Sequence, residues 1–98
     1  MGEMVVGAAR VRLLVRGARS LKDKRKVVRS VKDRLPALFR VAVAEVADLD
    51  SRQTTVLGLS AVGNDGKHVL SVLQKAIDKL RAHPEAEVVL SEVELFRL

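Results

Sequence analysis

Between Met4 and Arg16 the chain alternates. Val5, Ala9, Val11, Leu13 and Val15 fall on one side; Arg10, Arg12 and Arg16 fall on the other. A two-residue period is that of a half-buried strand, and Gly17 ends it. From Ser20 the period lengthens: Leu21, Val27, Val28, Val31, Leu35 and Leu38 recur at helical spacing. Ser20 and Asp23 stand where a capping box would place a hydroxyl that accepts backbone N–H groups and a carboxylate that reaches back. Pro36 ends or kinks this helix near its last turn. Val41 to Asp48 reads as a second strand whose two faces are nearly equally apolar, so the pattern leaves its buried side open. After the turn Leu49–Gln53, residues Thr54 to Val62 form a third strand. Asn64, Asp65 and Gly66 punctuate and cap a second helix with a stripe of Val69, Leu70, Leu73, Ala76, Ile77 and Leu80. His83 and Pro84 stop it. Glu87 to Leu98 is the last strand, with Val89, Val93 and Leu95 opposite Val88, Glu92, Glu94 and Phe96.

The order β-α-β-β-α-β is that of the ferredoxin-like α+β fold. Right-handed crossovers place both helices on one face of a four-stranded antiparallel sheet, with the first strand beside the last. The other face is then uncovered. On it Arg10 and Arg12 are expected to meet Glu92 and Glu94 across neighbouring strands, beside Val6, Leu14, Val88, Leu90 and Phe96.

Composition narrows the picture. The 98 residues read as one domain, residues 1–98, built on Val, Leu and Ala, because Phe39 and Phe96 are its only aromatic residues. Without cysteine there is no disulfide, zinc-thiolate site or thiol catalysis. No apolar run reaches the roughly 18 residues of a membrane span, and the N-terminal segment alternates with Arg where a signal peptide would be unbroken. A cytoplasmic protein is expected. Scarce Asn and Gln, with Arg exceeding Lys, suggest a thermophilic source. The net charge of +6 is unevenly shared: residues 1–40 hold twelve Lys or Arg against three Asp or Glu, and residues 41–98 hold six against nine.

Three separated segments, SLKDKR from Ser20, VAEV from Val43 and the pair Asn64-Asp65, resemble the YlxP-like family of small bacterial proteins of unknown function. The resemblance covers nearly the whole chain and implies a ferredoxin-like fold. It also implies a link to translation, because such genes often neighbour those for a translation initiation factor and a ribosome-binding factor. Similar proteins often carry Trp after the second strand, where this chain has Arg52.

Candidate chemistry centres on the first helix. Lys22, Lys24, Arg25, Lys26, Arg29 and Lys32 form a cationic segment suited to phosphate contact, above all with structured RNA or a ribosomal particle. The alternative is an ordinary solvated helix face. The helix dipole disfavours cations at an N-terminus, which tilts the reading toward function. The lack of aromatics argues against a base-stacking reader. A homodimer through the uncovered sheet face or an edge strand is a second class of reading. A hydrolase of acylphosphatase type would use the loop Gly17–Ser20, but its glycine-rich sequence is missing and Asn64 follows the third strand. Glu45, a lone acid in an apolar strand, is read as a general base or a partner to a basic residue. His68 and His83 make a poor metal set, and His83 suits a helix C-terminal cap. No cofactor or metal is expected.

Overall fold

A computed structural model describes residues 2–98. Its elements are β1 (Val5–Leu14), α1 (Leu21–Phe39), β2 (Ala42–Ala47), β3 (Thr54–Gly63), α2 (Gly66–Arg81) and β4 (Glu87–Arg97). The sheet order is β2-β3-β1-β4 and every neighbouring pair is antiparallel. This is the ferredoxin-like α+β fold, with β1 beside β4 as expected.

The core lies between the sheet and the helices. Val5, Ala9, Val11 and Leu13 from β1 and Leu57, Leu59 and Ala61 from β3 pack against Val28, Val31 and Leu35 of α1 and Val69, Leu73, Ala76, Ile77 and Leu80 of α2. Gly7 permits the close approach of α2: a Cβ there would lie 2.6 Å from Leu73 Cδ1 and 2.7 Å from Val69 Cγ1.

Local chemistry sets the helix ends. The Ser20 hydroxyl accepts the Asp23 amide at 3.1 Å, and Asp23 Oδ2 accepts the Arg19 amide at 3.1 Å, one residue beyond the N-cap itself. Pro36 lies inside α1 without ending it. It forfeits one intrahelical bond in the last turn, and its fixed φ suits a helix. The helix closes at Arg40, whose φ of 53° turns the chain left-handed and lets its N–H reach Pro36 O. Asp65 caps α2 through the Lys67 amide.

Two expectations are corrected and one open face is decided. Leu38, in the last turn of α1, and Leu70, at the edge of the α2 stripe, are exposed. The helix-facing side of β2 is Val43 and Glu45, while Ala42, Ala44 and Val46 face outward. In β4 a bulge opposite Arg12/Leu13 pairs Leu13 with Val88 and Arg12 with Leu90, leaving Val89 as the extra residue. Val88 therefore packs on the core and Val89 is exposed, the reverse of a strict alternation.

Candidate nucleic-acid interface

α1 presents two faces with different chemistry. Val27, Val28, Val31 and Leu35 are buried against the sheet. Lys22, Arg25, Lys26, Arg29 and Lys32 are exposed, and their spacing of three and four residues puts them along one solvent-facing band. Among the described residues no carboxylate lies within 4.0 Å of any of the five, although the helix itself contains Asp23 and Asp33. The sheet arginines behave differently. Arg10 pairs with Glu92 at 3.6 Å, directly opposite in register. Arg12 pairs with Asp48 of the β2–β3 loop at 3.8 Å, and not with the expected Glu92 or Glu94. Arg16 is paired with Glu87 and Arg97 with Glu3.

Lys24 leaves the expected contact set. Its side chain is 0% exposed, because position 24 falls on the apolar stripe one turn before Val27 and Val28. Its ammonium donates to Asp48 O at 2.8 Å, Leu49 O at 3.1 Å, Thr54 O at 3.2 Å and Glu45 Oε2 at 3.3 Å. The same Glu45 oxygen accepts the Thr55 hydroxyl at 2.6 Å. Among the described residues no buried side-chain polar atom lacks a partner. A buried charge requires such an arrangement. Lys24 thus ties α1 to β2 and to the β2–β3 loop, and Glu45 is the partner of a basic residue. The sequence carries both halves of the signal: a lysine on a hydrophobic stripe and a lone acid on an apolar strand.

That loop is further closed by Ser51. Its amide donates to Asp48 O, and its Oγ accepts the Thr54 amide at 3.1 Å and lies 2.7 Å from Thr54 Oγ1. Asp48 holds a left-handed φ of 60° at the corner. The β1–α1 connection is also internally bonded, since the Ala18 amide donates to Val15 O and the Arg19 amide to Asp23. His68 stands at the start of α2 and His83 beyond its end. His83 Nδ1 accepts the Glu85 amide at 3.0 Å, so the ring orders the following loop and does not cap carbonyls.

The uncovered sheet face carries a shallow groove of about 620 Å³ floored by Ala8, Ala42, Ala44, Gly58 and Ser60. Val62, Val6 and Phe96 form a cross-strand apolar row at one end; Val62 and Phe96 are 66% and 50% exposed.

A family model described as a protein of unknown function, DUF503, matches residues 6–93. The uncharacterized protein YlxP of Bacillus subtilis (strain 168) is 28% identical over 92 residues, covering 94% of this chain and all of the relative. Among solved structures, the de novo designed protein Foldit4 aligns with a TM-score of 0.48 at 14% identity, over 97% of this chain and 96% of its own. A PII-like signalling protein of Thermus thermophilus aligns at 0.40 and 20% identity, over 100% and 92%. No helix among the described residues is long and apolar enough to cross a membrane.

Proposed function

Because the chain belongs to the DUF503 family, whose function is unknown, we propose a role from its own surface: it binds structured RNA, or a ribosomal particle that displays it, through α1. The observation that carries this is the exposed band of Lys22, Arg25, Lys26, Arg29 and Lys32, which among the described residues has no carboxylate within 4.0 Å, whereas the sheet arginines Arg10, Arg12 and Arg97 each have one. Phosphate contacts of this kind release counterions, so binding falls steeply with salt. With so few aromatic side chains, recognition is of backbone and shape. The test is affinity for an RNA duplex across a salt series. A slope near zero, or one unchanged by Lys26→Glu with Arg29→Glu, removes the reading.

A second reading, a homodimer through the uncovered sheet face, is favoured by the apolar row Val62–Val6–Phe96 beside the groove. It is compatible with the first, because α1 lies on the opposite side of the sheet. Light scattering should then give twice the monomer mass, reverting to one with Phe96→Glu; a monomer at high concentration rejects it. The acylphosphatase-like alternative gains no support from the Gly17–Ser20 loop, whose Ala18 and Arg19 amides are already bonded.

A further inference from the structure

A second cationic feature lies off the helix band. A cleft of about 560 Å³ opens between the β1–α1 connection and the β2–β3 loop, lined by Ala18, Arg19, Ser51, Arg52 and Gln53. Arg19 and Arg52 come from segments thirty-three positions apart and are brought together only by the fold. Both are exposed, and among the described residues neither guanidinium has a carboxylate within 4.0 Å. The nearby Asp23 carboxylate is engaged by the Arg19 amide and lines a different cleft, beside Lys26 and His83.

The walls of this cleft are held from inside. The buried Lys24 ammonium fixes the carbonyls of Asp48, Leu49 and Thr54 on either side of Arg52. Ser51 closes the loop onto Thr54, and Val15 N donates to Gln53 O at 2.6 Å, joining the loop to the segment that carries Arg19. Two arginines lining one braced cleft suit an oxyanion, because each guanidinium presents several N–H donors in a fixed plane and stays charged. A frame already ordered loses less conformational freedom on binding.

We infer that the Arg19–Arg52 cleft is a phosphate-binding subsite that takes a backbone phosphodiester of the same polynucleotide, extending its track from α1 onto the β2–β3 loop. The inference rests on the RNA reading of α1 and adds a contact point outside the helix. The polynucleotide is favoured over a free phosphate because the cleft adjoins the first turn of α1, where Lys22 begins the exposed band.

The experiment measures affinity for an RNA duplex against salt for the full chain, the double variant Arg19→Ala/Arg52→Ala, the double variant Arg19→Lys/Arg52→Lys, and Lys26→Glu/Arg29→Glu. The alanine pair should lower the log–log salt slope by about 2, roughly one unit for each cation removed from a phosphate. The lysine pair should restore the slope, though not the full affinity, because an ammonium cannot make the bidentate contact. Both side chains are exposed, so the variants should melt with the wild type. An alanine pair that keeps the wild-type slope while Lys26→Glu/Arg29→Glu reduces it overturns the cleft and leaves the helix reading standing. A wild type without salt-dependent binding overturns both. Inorganic phosphate titrated at constant ionic strength should not displace the RNA; displacement from the wild type that the alanine pair abolishes would assign the cleft to a free anion and overturn the polynucleotide subsite.

Discussion

Lys24 and Lys26 sit two residues apart on one helix and live in different solvents. The first is fully buried, with its charge shared among three carbonyls and a carboxylate; the second is exposed to water and has no carboxylate within 4.0 Å among the described residues. Two positions turn a helix by roughly 200°, enough to carry a side chain from the core stripe to the open face. The lesson is that a run of like charges need not act as one surface. In SLKDKR one cation is an internal brace and its neighbours are a solvent-facing band.

The comparison breaks most easily at Lys24. Lys24→Met should cost about 3–5 kcal/mol, since it strands the Glu45 carboxylate and leaves the loop carbonyls without a donor. Urea unfolding measures it, and a loss below about 1 kcal/mol would mean the brace is not formed in solution. Adding Glu45→Leu to that variant should recover part of the loss, but not all, because the carbonyls of Asp48, Leu49 and Thr54 stay unsatisfied. Glu45→Gln alone should cost less, about 1–3 kcal/mol, as it weakens charge-assisted bonds from Lys24 and Thr55 while retaining a hydrogen-bonding group. A double-mutant cycle on Arg10 and Glu92 should return a coupling of about 0.2–1 kcal/mol, the scale of an exposed pair; a larger value would place these arginines closer to Lys24 in kind. Smallest in stability is Arg29→Ala, expected within about 0.5 kcal/mol of wild type. Its effect should appear instead in RNA binding, as a salt slope lower by about 1.

Element order, strand pairing and the placement of both helices were legible in the sequence because two periodicities alternate cleanly along it. The buried face of β2 was not. Val43 and Glu45 point inward and Ala42, Ala44 and Val46 outward, so the side that faces the helices carries the acid, and only the match to Lys24 on a distant helix decides it. Val88 escapes a reading by alternation because the bulge at Val89 has no glycine or other local marker. The exposed band on α1 was readable from charge and spacing. The Arg19–Arg52 cleft was not, since its residues belong to two separate connections joined only by tertiary contacts. Lys24 was hidden for a simpler reason: counted with its neighbours it looks like surface, whereas aligned with Val27, Val28, Val31 and Leu35 it belongs to the core stripe.

The bulge in β4 also bears on how the gene can change length. Val88 and Leu90 already face opposite sides of the sheet, paired with Leu13 and Arg12, so excising the codon for Val89 would join two stretches that are in phase. Removal of Val93, which lies opposite Ala9 and beyond the bulge, would instead bring Glu92 or Glu94 into an inward position. A single-codon deletion should therefore be tolerated at 89 and rejected four positions later, making this site a natural seam for insertions and deletions.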